Sequence, residues 1–162
     1  MMYQLPEIPV KKRFTTAKPA YKKPDSVREL ETLATAEAIR THPAVDPKYI
    51  APRVYSDKTA NSLTAAIVAY ITLRGGMASR ISVTGTWDKK LNKYRTSTMK
   101  RGLADVWATY HGMSIQVEVK KGRDVQSDDQ IKVQQQQEQS GGFYYVAHDF
   151  TSFKQWFDTI IT

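Results

Sequence analysis

The sequence contains no cysteine among its 162 residues, which excludes disulfide bridges and thiolate zinc sites. Histidine is also scarce, and His42, His111 and His148 lack the spacing of a metal site. No segment approaches the run of about 20 apolar residues that a membrane-spanning helix needs. Prolines and charges interrupt the amino-terminal stretch MMYQLPEIPVKKRF, where a secretion signal would need an apolar run. We therefore expect a cytoplasmic protein without membrane contact, in a bacterial host cell if a phage or mobile element encodes it.

Acidic residues are few relative to basic ones. Lys and Arg number 24 against 16 Asp and Glu, a net charge of +8, which favours a polyanionic partner such as nucleic acid. Between residues 89 and 101 the chain has six basic residues and no acid. This segment is either a solvated loop or a surface that holds phosphates. The residues predicted to bind DNA are Lys89, Lys90, Lys93, Arg95, Lys100, Arg101 and Lys121.

The first part of the chain differs in composition from the rest. Residues 1–52 form a predicted basic, proline-rich arm with one helix at about 26–41, for which Ser26 and Glu29 match a capping box. The arm is either a solubilising tail or an electrostatic tether on DNA. Residues 53–162 form the predicted main domain.

Hydrophobic periodicity in the main domain alternates between helical and strand patterns. It predicts an α/β (α+β) fold, a central mixed sheet flanked by helices. The predicted elements are a helix capped by Ser56-Asp57 over 61–76, a strand over 78–87, strands over 104–110 and 113–120, a helix over 130–139, a strand over 143–148 and a helix over 151–161. The last helix either packs on the sheet, the favoured interpretation, or forms a dimer interface through Phe153, Trp156, Phe157, Ile160 and Ile161.

The two central strands are predicted to form a hairpin around His111-Gly112. Opposite positions then sum to 223, so that Val106 faces Val117 and Asp105 faces Glu118. Alternation gives the hairpin one apolar and one polar face. The apolar face carries Ala104, Val106, Ala108, Tyr110, Met113, Ile115, Val117 and Val119, and the other carries Asp105, Trp107, Gln116, Glu118 and Lys120.

Two carboxylates facing each other across strands are destabilising unless a proton or a cation lies between them. Asp105 and Glu118, with the backbone carbonyl of Val119, would supply the oxygen ligands that Mg²⁺ prefers. Lys120 would steady or deprotonate a water and counter charge on a phosphate. The alternative is a solvated sheet face without function. Gln130 either completes a capping box with Ser127 or contacts phosphate or water, and Gln134 could do the latter too.

The order of these motifs resembles the PD-(D/E)XK nuclease superfamily over about residues 57–150. The matching motifs are Gly102-Leu103-Ala104-Asp105, Glu118-Val119-Lys120, Ser127-x-x-Gln130 and Gly141-Gly142 before an apolar strand. The pattern is most similar to the VRR-NUC branch and, in outline, to archaeal Holliday junction resolvases. The resemblance implies a core of the order α-β-β-β-α-β, with Asp105 and Glu118 as metal ligands, Lys120 acting on the water and Gln130 supporting the site.

Two positions depart from the family pattern. Ala104 replaces the usual proline before the aspartate. The first core helix, which often offers a glutamate to the metal in such nucleases, has Asn61 at the matching position and Asp57 one turn earlier as possible support. Asn is a neutral and weaker ligand than Glu.

The sequence therefore predicts a Mg²⁺-dependent endodeoxyribonuclease, with Mn²⁺ able to substitute. Branched DNA such as a Holliday junction is the candidate substrate, and a homodimer is expected because two strands need two active sites. The alternative is a catalytically weak or inactive nucleic-acid-binding protein that uses the same fold. An RNA substrate is a third hypothesis.

Overall fold

The computed structural model describes residues 20–81, 86–95 and 99–161. The helices are α1 (Asp25–Thr41), α2 (Ala60–Leu73), α3 (Asp128–Gln139) and α4 (Phe150–Ile160), with one 3₁₀ turn at Pro47–Tyr49. The strands are β1 (Met77–Arg80), β2 (Thr86–Asp88), β3 (Lys93–Arg95), β4 (Val106–Tyr110), β5 (Met113–Val119) and β6 (Phe143–Ala147). Within these ranges no helix is both long enough and apolar enough to cross a membrane.

Four strands form one mixed sheet in the order β1-β4-β5-β6. The first three pair antiparallel, and β6 runs parallel to β5 because α3 returns the chain to the same end of the sheet. The predicted α+β fold with a mixed sheet flanked by helices is confirmed, as is the order α-β-β-β-α-β for α2, β1, β4, β5, α3 and β6. Strands β2 and β3 add a separate antiparallel ribbon that the sequence did not predict.

The predicted hairpin register is confirmed. Val106 pairs with Val117, Ala108 with Ile115 and Tyr110 with Met113. His111 and Gly112 have φ of 44° and 82°, and two positive φ values in succession are what a two-residue hairpin turn requires.

One face of the sheet packs against α2 and α4, and α1 packs on these two helices. Its core includes Val106, Ile115 and Val117 from the strands, and the Tyr70 ring meets Phe150 edge-on at 5.6 Å. Ala104 does not join this face as predicted. It packs with Val133, Tyr144 and Leu103 on the α3 side, because the ladder begins only at Val106 and the preceding backbone is not held in the strand's alternation.

Helix α1 belongs to the same core, although the sequence grouped it with the amino-terminal arm. Val27 and Leu30 are fully buried against the other helices. The predicted Ser26 cap is wrong: the helix begins at Asp25 after Pro24, and the buried Ser26 hydroxyl bonds Thr151 Oγ1 at 2.8 Å. Residues 1–19 of the predicted arm lie outside the described residues.

Two further boundaries differ from the prediction. Thr59, not Ser56-Asp57, caps α2 through a reciprocal pair with Ser62, since the Asp57 carboxylate is engaged elsewhere. The predicted strand over 78–87 is shorter: β1 covers Met77–Arg80, residues 82–85 lie outside the described part, and Trp87 belongs to β2.

The apolar residues of α4 pack inward. Phe153 and Phe157 are fully buried, and Trp156 stacks on Tyr145 with ring centroids 4.5 Å apart. For these residues packing on the sheet is confirmed, and the homodimer stays a prediction.

Candidate functional site

The candidate site begins where the β4–β5 ladder ends. Val106 and Val117 form the last pair of the ladder, and Asp105, the residue before Val106, lies just outside the strand. Its carbonyl accepts a hydrogen bond from Ile81 N at 2.8 Å, and its Oδ2 accepts one from Val119 N at 2.9 Å. The carbonyl and N–H of one strand residue point to the same edge. The Val119 carbonyl therefore points towards Asp105, as the predicted ligand set requires.

Glu118 is the buried acid of the site, with 2% of its surface exposed. Oε1 accepts hydrogen bonds from Gln130 Nε2 at 2.6 Å and Lys120 Nζ at 3.1 Å. Oε2 is buried and has no hydrogen-bond partner among the described residues. A buried carboxylate oxygen without a donor is costly, so this atom marks the place where a ligand would be stabilising.

The electrostatics link Glu118 to Asp105. Burial, and next the negative charge of Asp105, raise the pKa of Glu118 above its ordinary value, and the hydrogen bond from Lys120 only partly offsets them. Like charges close together produce this effect. The two carboxylates are thus close enough for their charges to interact, and Asp105 Oδ2 bonds the backbone of the residue after Glu118.

Lys120 is almost as buried, at 7% exposed. Its ammonium pairs with Glu118 and, at 3.4 Å, with Asp124. Burial by itself lowers the pKa of Lys120, but the hydrogen bond and charge of Glu118 outweigh it, so the pKa is raised. The side chain is therefore a charged donor in this arrangement. It can steady a water or a phosphate oxygen, the first of the two roles predicted for it.

Gln130 completes the predicted capping box and, in addition, bonds Glu118. Its Oε1 accepts the Ser127 N–H at 2.9 Å while the Ser127 hydroxyl accepts the Gln130 N–H, which is a complete capping box. Its Nε2 donates to Glu118. The cap thus fixes the amide in the orientation that holds Glu118 Oε1. Gln134 instead bonds Gln126 and Glu138.

Gly102 explains how the loop before Asp105 reaches α3. Its φ is +78°, and a Cβ at this position would lie 2.4 Å from the backbone carbon and oxygen of Asp129. Only a glycine permits so close an approach of two backbones at this φ. The contact brings the start of α3, and with it Gln130, to the acidic pair.

The predicted support from the first core helix takes a different form. Asp57 is 4% exposed, and its carboxylate accepts hydrogen bonds from the Tyr21 hydroxyl at 2.7 Å and from Phe150 N at 3.2 Å. It therefore anchors the first turn of α4. Asn61 Oδ1 accepts a hydrogen bond from Arg80 Nη2 at 2.7 Å. Both side chains have partners of their own, outside the acidic pocket.

A divalent cation needs a set of oxygen ligands that lie close together. Across residues 20–81, 86–95 and 99–161 no group of three His, Asp or Glu side chains could hold a metal ion. Mg²⁺, however, is commonly bound through one or two carboxylates and keeps several waters. Asp105, Glu118 with its unpartnered Oε2, and the Val119 carbonyl fit that pattern. These residues could hold one Mg²⁺ or Mn²⁺.

The predicted DNA-binding residues lie on several parts of the chain, of which the β2–β3 ribbon is one. Lys89 and Lys90 lie exposed at the turn of the β2–β3 ribbon, and Lys93 is exposed on β3. Lys100 donates to Gln136 on α3 and Lys121 to the His148 carbonyl at 2.7 Å. Arg101 is exposed, and the side chain of Arg95 lies outside the described part.

Two neighbours of the site were not predicted. Asp124 is the second acid paired with Lys120, and its spacing of four residues from that lysine is the only signal for it. Tyr144 packs with Ala104 and Val133, and burial followed by the charge of Glu118 raises the pKa of its phenol to about 12. Pairing β6 with β5 would have found it, because Tyr144 lies opposite Gln116.

No protein-family model, curated protein or solved structure matches the chain. The functional argument therefore depends on the chain's own residues. They define a class of site: a buried acidic pair with a charged lysine and a clamped amide at the open end of a hairpin.

Proposed function

We propose that the protein is a divalent-metal-dependent endonuclease that hydrolyses DNA phosphodiester bonds. The observation that carries this proposal is the buried Glu118 oxygen without a donor, beside the Asp105 carboxylate and within reach of a charged lysine. If the Glu118–Lys120 ion pair were purely structural, the nearby negative charge of Asp105 would only destabilise it. In particular, we propose a nuclease of the PD-(D/E)XK type, similar to the VRR-NUC branch, because the order of motifs and of core elements both fit.

Each residue of the site has its own proposed role. Asp105, Glu118 and the Val119 carbonyl would hold the cation, which supplies Lewis-acid polarisation of the phosphate. Lys120 stays charged and donates to an oxygen of the phosphate or of the attacking water, where it stabilises negative charge that grows during the reaction. Gln130 holds Oε1 of Glu118, which would leave Oε2 to bind the cation. Preorganised donors of this kind act strongly because the pocket excludes bulk water.

DNA is the proposed substrate because of the charge. The net charge of +8 and the exposed lysines of the β2–β3 ribbon suit contacts with phosphates, which position a duplex without reading its sequence. Branched DNA such as a four-way junction remains the proposed preference. A C2 homodimer would bring two sites to two strands, and light scattering on the purified protein measures that state.

The test is a panel of labelled linear, nicked, flap and four-way DNA incubated with Mg²⁺ or Mn²⁺. We expect cleavage that requires the cation and is lost, by a factor of about 100 or more, in Asp105→Asn and Lys120→Met. The matched controls are Glu37→Gln on α1 and Lys48→Met in the 3₁₀ turn, whose side chains are largely accessible to solvent. If purified protein cleaves equally well after either site substitution, the proposed site is wrong.

The alternative function is a nucleic-acid-binding protein with weak or absent catalysis. Two observations favour it: Lys120 already neutralises Glu118 through a short ion pair, and Asn61 is bound by Arg80 instead of offering a further acid. Salt-sensitive DNA binding without cleavage of any substrate in the panel would support this alternative and reject the enzyme.

A further inference from the structure

A row of side chains crosses the sheet next to the acidic pair. The strand register places Ser79 opposite Trp107, Trp107 opposite Gln116, and Gln116 opposite Tyr144. Directly opposed residues project to the same face with Cβ atoms about 5 Å apart. This row lies on the polar face of the hairpin, two residues along each strand from Asp105 and Glu118. Two strand residues span about 7 Å, which is within reach of one nucleotide.

The row is covered at one end and open at the other. Tyr144 packs against Val133 of α3, whereas Trp107 is 42% exposed and Ser79 is exposed too. A cavity of about 410 Å³ lies over the open end, lined by Ser79, Trp107, Gln116 and Gln137 among others. This volume falls in the range of small-molecule sites, about 300–1,000 Å³.

Gln116, which lines this cavity, has a buried acceptor without a partner in the described part of the chain. It is 9% exposed. Its Nε2 donates to Gln137 Oε1 at 2.9 Å, and Gln137 Nε2 in turn donates to Ser114 Oγ at 2.9 Å, which fixes the direction of both amides. Gln116 Oε1 is left buried with no hydrogen-bond partner in the part of the chain that the structure describes. A ligand with an N–H group would satisfy it.

We infer that the cavity beside Trp107 binds an unpaired nucleobase, with the base stacked on the indole ring and one of its N–H groups donated to Gln116 Oε1. Aromatic rings are the common platform for unstacked bases, and any base offers a flat face to them. A base inside a duplex is stacked on both sides and cannot enter. The inference rests on the proposed function and specifies its substrate: DNA with an unpaired nucleotide next to the cleaved phosphate.

The test is a binding measurement without divalent cation, which makes it independent of cleavage. Fluorescence anisotropy in EDTA gives the Kd of wild-type protein and Trp107→Ala for labelled single-stranded oligothymidylate, for an abasic oligomer of the same length, and for duplex. We expect Trp107→Ala to weaken oligothymidylate binding about 5- to 160-fold, the range for loss of one base–aromatic stack. Binding of the abasic oligomer and of the duplex should not change.

Three further variants sharpen the result. Trp107→Phe keeps a ring and should restore most of the affinity. Gln116→Met removes the acceptor and should weaken oligothymidylate binding about 2- to 13-fold, the range for one hydrogen bond. Tyr49→Ala, which removes an exposed aromatic ring from the 3₁₀ turn, should change nothing.

The outcomes separate this inference from the proposed function. Equal loss of affinity for oligothymidylate and the abasic oligomer, no loss at all, or no single-strand binding by wild-type protein would overturn the nucleobase site. If the protein cleaves DNA and Trp107→Ala binds oligothymidylate as tightly as wild type, the nuclease proposal is supported and the nucleobase site is wrong. A base-dependent loss in a protein that cleaves nothing would leave the nucleobase site standing and reject the enzyme.

Discussion

The acidic pair predicts that Mg²⁺ or Mn²⁺ stabilises the folded protein and that Asp105→Asn abolishes this effect. A ligand that binds only the folded state at 100 times its Kd adds about 2.7 kcal/mol. For a chain of 162 residues, each kcal/mol raises the Tm by about 2–4 °C. Saturating metal should therefore raise the Tm of the wild-type protein by about 5–11 °C.

Without metal, Asp105→Asn should not lower the stability of the folded protein. The charge of Asp105 contributes to the raised pKa of Glu118, so removing it relieves a repulsion of about 0.2–1 kcal/mol, the size of a cross-strand charge pair. The Asn oxygen can still accept the Val119 N–H. In EDTA we expect Asp105→Asn to be as stable as the wild-type protein or slightly more stable.

Differential scanning calorimetry in EDTA and over a metal titration, at constant ionic strength, gives both measurements. Glu37→Gln is the matched control, because that exposed carboxylate of α1 contacts only Arg40 in its ion pair; it should keep the full increase in Tm. A wild-type Tm that does not rise with metal, or an equal rise in Asp105→Asn, would refute the reasoning.

Two other predictions follow from the site. The folded chain holds the Glu118 proton more tightly than the unfolded chain, so this group stabilises the metal-free fold at low pH and loses that contribution as pH rises from 4.5 through its raised pKa. Because metal must displace the same proton, the Mn²⁺ affinity measured by calorimetry should increase over this pH window and then level off. An affinity that does not change with pH would contradict this role of Glu118. Gly102→Ala should lower the free energy of unfolding by about 1–3 kcal/mol more than Gly75→Ala, because both glycines have positive φ but only Gly102 has Asp129 backbone where the Cβ would lie. Equal losses in urea titrations would show that the loop does not approach α3 this closely.

The hairpin and its acids could be predicted from the sequence because both follow from local rules. The His111-Gly112 turn sets the register, and strand alternation then assigns each side chain to a face. The Ser127-x-x-Gln130 cap is local as well. These short-range signals were sufficient to predict that Asp105 and Glu118 lie near each other.

The remaining features depend on partners distant in the chain, which no local pattern reveals. Ser26 looks like a helix cap, but it bonds Thr151 on α4. Asp57 also looks like a cap, and its carboxylate is taken by Tyr21 and Phe150. In both cases a side chain that could satisfy its own backbone contacts the amino-terminal turn of α4 instead, because packing of the helices brings that turn within reach.

Three buried side-chain atoms lack a hydrogen-bond partner in the described part of the chain: the Tyr144 hydroxyl and two acceptors on β5. Glu118 Oε2 and Gln116 Oε1 are both buried without a donor in the described part of the chain, and each such group costs about 1–3 kcal/mol. They project from the same strand, two residues apart. A cation would satisfy the first and a base N–H the second, and a single metal-bound nucleotide can bring both. The free protein thus carries a destabilisation that its proposed substrate would relieve at two points at once, so metal and single-stranded DNA together should protect the fold more than either does alone.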